Sequence, residues 1–336
     1  MKNTNTMPDQ ASRPSPYHIP CLTKMKWLNH PKVQETLGKF LKPKPKGRKG
    51  YGKILLFLWL VWKQISGCTY RDLECLAGGI DHSTFVKFKT QLVKEKWFPR
   101  VFECLVKWLV SWMGPLGLAL DSTFVATYSG KHESGSRYSG YKEKIGFKLH
   151  TFIDCFARLP LAIRVTDGAR HDVAGGTKLV GQSPPRWKVR FLTADKGYDS
   201  GEFVELVRQH WLNAKICIPL RRMKGEGRDV ITPARAGWRE LKAAERTLTK
   251  KLRNIRTAVE RYFSRKKGVF NLGEQRTRGI KAFRTECYLT AIAEYLEFIG
   301  RFNLTYGVMR VFFTKLVFVK LVLIFFCSKM NLTNNY

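Results

Sequence analysis

Three carboxylates sit where they could do chemistry. Asp195 ends the apolar run of Phe191–Ser200 (FLTADKGYDS), and the chain breaks directly after it at Lys196-Gly197. The pattern predicts a buried strand that delivers Asp195 to the point where the backbone turns out of a sheet. Asp121 holds the same place in Leu116–Phe124 (LGLALDSTF), an apolar run of strand length followed by small hydroxylated residues. Glu260 belongs to a predicted helix from about Arg246 to Phe270, where Leu248, Leu252, Ile255, Val259, Phe263 and Phe270 mark a buried stripe. Arg253, Arg256, Glu260 and Lys267 fall within an arc of about 60° beside that stripe. A carboxylate at the end of a buried strand costs desolvation energy unless a positive charge meets it. Three held close together raise one another's pKa unless divalent cations neutralise them. Simpler roles stay open: a turn cap for Asp195, and an ordinary i,i+4 ion pair with Arg256 for Glu260.

The elements that must position these acids can be read in order. Residues 1–50 form a polar, Pro-rich and then basic arm, ending in Lys42–Lys53 (KPKPKGRKGYGK), which is either a solvated linker or a phosphate-contacting segment. Residues 51–115 read as helical. Ile54–Ile65 is a buried helix, Thr69 caps Thr69–Leu76, and Asp81 or Ser83 starts a helix with Phe85, Phe88 and Leu92 on one side and Lys87 facing away. Helix, short Gly-containing turn, helix is the pattern of a helix-turn-helix unit, and of any other αα-hairpin. Trp97–Met113 adds an amphipathic helix. Short strands follow over 116–305: the Asp121 strand, Ile145–Asp154, Leu159–Asp167 and Val189–Ala194, with Lys148 and His150 on one strand face next to Asp121. Between them, Tyr128–Tyr141 interleaves basic and aromatic residues, as suits contact with phosphates and unpaired bases or a plain exposed loop. Asp172 is expected to cap a helix, with His171 packing the turn or touching a ligand. A basic insertion lies near 221–245, and a last helix spans about Glu286–Phe302.

At this point the blocks carry a resemblance. LALDST around Asp121, TADKGYDS around Asp195 and Arg256-x3-Glu260-x6-Lys267 resemble the signature of DDE insertion-sequence transposases of groups four and five, over roughly residues 50–300. GFKLH (Gly146–His150) and the His171-Asp172 pair in DGARHD resemble the same family. One position departs from it: Arg253 stands where the family's helix signature has Tyr. The resemblance implies an α/β, ribonuclease-H-like mixed sheet with flanking helices, preceded by a small all-helical N-terminal domain. It implies catalytic and metal-binding roles for Asp121, Asp195 and Glu260, with two Mg2+ ions for which Mn2+ can substitute; hard oxygen ligands on a phosphate substrate suit that choice. Lys148, His150, His171, Arg256, Lys267 and Lys87 become the expected DNA contacts. The partners implied are double-stranded DNA, as element ends and target, and a second copy in a homodimer holding both ends.

Composition agrees. A formal net charge of +34 on 336 residues is destabilising through self-repulsion, and a polyanionic partner is the simplest reason to tolerate it. The eight cysteines form no CxxC pair and no zinc-spaced cluster, so they read as reduced thiols of a cytoplasmic protein. The apolar tail within 306–336, Val311–Cys327, is interrupted by Lys315 and Lys320, which are costly in a bilayer, so a docked helix or strand, or a non-native C-terminus left by a frameshift, is expected there and no membrane partner. Three other functions compete: a decayed, non-catalytic DNA-binding repressor, a metal-dependent nuclease without strand transfer, and a basic membrane-associated protein that rests only on residues 311–327.

Overall fold

The computed structural model describes residues 27–42, 51–219, 246–273 and 277–301, with backbone alone over 246–253. Most of the N-terminal arm and its basic stretch, the insertion near 221–245, the apolar tail 306–336 and the side chain of Arg253 lie outside the described residues.

Five helices come first: α1 (Pro31–Gly38), α2 (Lys53–Ser66), α3 (Tyr70–Leu76), α4 (His82–Lys94) and α5 (Trp97–Trp112). Their ends are set by local chemistry. Gly67 closes α2 in the left-handed region at φ 71°, donating its N–H to Lys63 O. Thr69 and Asp72 exchange bonds in a reciprocal capping box at the start of α3. The Asp81 carboxylate accepts from Ser83 N and starts α4, which buries Phe85, Phe88 and Leu92 and leaves Lys87 exposed.

A six-stranded mixed sheet follows, formed by β1 (Leu116–Ala126), β2 (Arg137–Ser139), β3 (Lys144–Asp154), β4 (Pro160–Asp167), β5 (Val189–Ala194) and β6 (Lys215–Cys217). Its order is β2-β3-β1-β5-β6, with β4 also paired to β3. β3 runs antiparallel to β1 and β4, while β5 runs parallel to β1 and β6 parallel to β5. β1 is central because Leu116–Leu120 is apolar and buried without alternation, as a strand covered on both faces requires. Flanking helices are α6 (Asp172–Gln182), α7 (Gly201–His210), α8 (Arg246–Gly268) and α9, the helical residues 280–301. This is the expected mixed sheet with flanking helices behind a helical region.

α9 starts about a turn and a half earlier than its periodicity suggested, directly after Gly279 at φ 84°. It lies between the sheet and the first helices. Phe283 stacks on Phe147 of β3 at 5.2 Å, the Tyr295 hydroxyl donates to Pro160 O at 2.8 Å, and Phe102 of α5 meets Tyr288 and Tyr295. Lys89 of α4 pairs with the nearly buried Glu286. Gln64 of α2 donates to Phe270 O at 3.0 Å. The helical region therefore shares one hydrophobic core with the C-terminal helices. Among the described residues, no helix is long and apolar enough to cross a membrane.

Gly146 shows why the GFKLH block needs its first residue. A Cβ there would lie 2.2 Å from Val125 O and 2.5 Å from the Phe124 ring, where β3 presses on β1. Gly146→Ala is expected to lower the melting temperature by several degrees, because a backbone oxygen cannot step aside. Gly181→Ala, in α6 with open space around it, should leave stability unchanged or raise it by up to about 1 kcal/mol through helix propensity. Differential scanning calorimetry of both variants checks the contrast.

Candidate active site

The last paired positions of β1 and β5 are Leu120 and Ala194, so Asp121 and Asp195 follow side by side where the two parallel strands finish their pairing. Neighbouring positions of parallel strands share a face, and the register alone brings these acids together. Asp121 Oδ1 accepts from Ser122 N at 2.7 Å, and Asp195 Oδ1 accepts from Lys196 N at 2.6 Å. Asp195 also caps the short 3-10 turn Lys196–Tyr198, so the turn-cap role is present together with the pairing. Burial pushes the Asp121 carboxyl up to about 6; the Asp195 and Asp172 carboxylates add to the shift, against the Ser122 N–H and the Arg256 guanidinium.

α8 packs across β1 and β5. Val259, Tyr262, Phe263 and Lys266 face inward, and Arg256 and Glu260 stand at the edge. Glu260 is half exposed and accepts from the Arg256 guanidinium at 2.7 Å. The structure thus brings two of the three acids together and holds the third in the i,i+4 pair. Among the described residues, the group of three potential ligand side chains with atoms within 4.8 Å of one another is Glu74, Asp81 and His82, in the helical region. Arg256 joins the halves: it bonds Glu260 and is the cation that acts on Asp121. Without counter-cations, a third carboxylate gains more from an arginine than from two like charges.

Lys267 is exposed and donates to Phe124 O at 3.2 Å, which ties the end of α8 to β1. Lys148 is held by Arg170 O at 2.9 Å and Asp172 Oδ1 at 3.1 Å. His150 needs a correction. It is fully buried, its Nε2 lies 2.9 Å from Thr166 Oγ1, and its ring is so close to α6 that a Cβ on Gly175 would come within 2.4 Å of it. Burial pushes the imidazole down to about 4, so it is a neutral packing group and not a surface contact for DNA. A second correction concerns α6, whose cap position is His171, exposed and making no side-chain cap bond.

Asp172, read from sequence as a cap, turns instead into the site. Its Oδ1 accepts from Ser122 Oγ at 2.6 Å and from Lys148. Tyr198, also unassigned from sequence, is buried beside Ser122, and its hydroxyl has no hydrogen bond of good geometry. The available signals were the His-Asp pair just after a strand and the Ser that follows Asp121.

The donor set suits a hard divalent cation. It is all carboxylate oxygen, with two acids in register and one of them kept from ionising freely by burial and like charge. A model of the transposase DDE domain family matches residues 112–296, which contain the sheet, both aspartates and α8. The chain belongs to the transposase DDE domain family. Members of that family generally use divalent metal ions. No curated protein matches the sequence. Among solved structures, the cryo-EM structure of a piggyBac transposase synaptic complex with hairpin DNA overlaps 86% of this chain and 83% of its own, at 12% identity and a TM-score of 0.34. An overlap this loose transfers no residue.

The raised Asp121 carboxyl makes a stability prediction for this DDE chain. Its ionised form is disfavoured in the fold, so a penalty sets in as pH rises above the ordinary value of 3.8 and is complete above about 6. In chelator, Asp121→Asn should therefore stabilise the protein at pH 8, on the order of 2 kcal/mol, and should give no gain at pH 4. Thermal melts at the two pH values check this.

Proposed function

We propose that this chain is the DNA transposase of an insertion sequence of the group four and five type, binding the element ends and catalysing phosphodiester hydrolysis and strand transfer. The observation that carries the reading is that Asp121 and Asp195 directly follow the last paired positions of β1 and β5, under α8, with Arg256 acting on Asp121 and bonded to Glu260. Asp121 and Asp195 would hold divalent cations jointly, and Glu260 would complete one site when it exchanges Arg256 for a cation. Two Mg2+ ions, or Mn2+ in their place, would supply charge neutralisation for the attacking and leaving oxygens.

The chain's own residues have separate tasks. Asp172 fixes Ser122 and Lys148 beside the acid pair, which stiffens the end of β1 against the repulsion between the carboxylates. Arg256, released from Glu260, offers a planar two-pronged donor to a phosphate. Lys267 reaches the same strand from the other end of α8 and supplies a point charge. Lys87, exposed on the second helix of the αα-hairpin, and the exposed His171 are further contacts for duplex DNA. In this reading residues 51–115 recognise the ends, 116–305 carry the chemistry, two copies hold the two ends, and the protein acts in the cytoplasm.

Asp121→Ala, Asp195→Ala and Glu260→Ala are each expected to reduce Mg2+-dependent cleavage of element-end DNA by at least about 10³-fold while leaving DNA affinity equal or higher, since each removes a ligand and a negative charge. Glu202→Ala, exposed on α7, should stay active. A gel assay for strand cleavage, run beside a binding assay, distinguishes the outcomes. Retained cleavage in all three variants would sink the active-site reading, whereas binding without cleavage in the wild type would favour the non-catalytic repressor.

A further inference from the structure

A cavity of about 380 Å³ opens at the β4 edge of the sheet, lined by Arg137, Arg164, Arg170 and Lys178 with Thr166 and Asp167. Four cations face one acid. Arg164 lies on β4, which β3 separates from β1, and Arg170 and Lys178 come from the turn before α6 and from α6 itself, so this cavity lies at the edge of the sheet, apart from the acid pair. The Arg164 Nε is buried and has no hydrogen-bond partner among the described residues. Burial, together with the Arg284 and Arg170 charges nearby, makes its cationic form harder to hold. A buried guanidinium N–H without an acceptor, in a ring of like charge, is a standing cost that an anion would remove.

The walls are built before any ligand arrives. Ile280 N donates to Ser134 O at 2.8 Å and Gly279 N to Glu133 Oε2 at 2.7 Å, pinning the loop before β2 to the start of α9. Gly135 sits at φ 76°, and a Cβ there would lie 2.5 Å from Ile280, so the loop seats closely on the helix. On the other side Lys148 holds the backbone of Arg170. The one acid is occupied locally, since Asp167 Oδ1 accepts from Ala169 N.

We infer that this cavity is a second phosphate seat, taking the DNA backbone at the β4 edge of the sheet, apart from the acid pair. The inference rests on the transposase reading and adds to it a contact path separate from Arg256 and Lys267 of α8. Arginine forks suit phosphate oxygens, and a set of unpaired cations gives affinity without sequence preference.

The test uses the full-length protein in chelator, with Kd for duplex DNA measured across a salt series. The double variant Arg170→Ala/Lys178→Ala changes exposed side chains and should fold normally; Arg164→Gln probes the buried N–H. A control pair, Lys39→Ala/Lys107→Ala, removes the same charge from surface lysines that face Glu35 and Glu103. The double variant should weaken binding about tenfold near 150 mM salt and flatten the slope of log Kd against log salt by about 1 to 2, while the control stays within about twofold. Equal effects in the double variant and the control would overturn the seat and leave the transposase reading standing. Absence of salt-dependent binding in the wild type would overturn both. Saturable binding of inorganic phosphate that the double variant loses, with duplex affinity unchanged, would assign the cavity to a small anion and overturn the DNA assignment.

Discussion

Two carboxylates that repel one another where two adjacent parallel strands stop pairing are the constraint on which the rest of this structure depends. The register of β1 and β5 ends at Leu120 and Ala194, and Asp121 and Asp195 are the next residue on each chain segment. The fold meets the repulsion with what it has: N–H groups from Ser122 and Lys196, and the charge of Arg256. These do not neutralise the pair, and the Asp121 carboxyl stays raised, first by burial and then by the Asp195 and Asp172 charges. A site that stays uncompensated without cations is poised to take them, and this links the strand geometry to a cation-dependent activity.

α8 converts that constraint into an architecture. One edge presents Arg256, Glu260 and Lys267 near β1, while the opposite face is committed to the core through Val259, Tyr262 and Phe263. Lys266 sits on that buried face, 2.7 Å from Glu294 of α9, both out of solvent, and over the rings of Tyr262 and Phe270. Burial lowers the Lys266 pKa and raises that of Glu294, so the pair contributes geometry more than net stability. Breaking it by removing one partner would be costly, which fixes the rotation of α8 about its axis. That rotation decides which residues reach the acids.

Much of this was legible in the sequence because it is local. Apolar runs ending in an acid and then small or turn residues gave Asp121 and Asp195 their places, and Thr69 and Asp81 announced their helices through caps that need only a few neighbours. What could not be read depends on partners far along the chain. His150 lies on a strand buried on both faces, so alternation could not tell a site residue from one packed on Gly175. Asp172 was recognisable as a helix-start acid, but its true partners, Ser122 and Lys148, come from two strands that only the sheet brings to it. For Glu260 the sequence held two roles, and the structure shows the i,i+4 pair with Arg256. The shared core of the first and last helices was equally hidden, because Phe102 and Tyr295 meet only through the fold.

The central claim is that Asp121 and Asp195 hold a divalent cation together. Mn2+ binding to the full-length chain, followed by electron paramagnetic resonance of the free ion, tests it without reference to activity. The account predicts saturable Mn2+ binding in the wild type that is weakened at least about tenfold by Asp195→Asn, because a neutral amide offers the ion far less than a carboxylate does. An Asp195→Asn variant that binds Mn2+ as tightly as the wild type would contradict it.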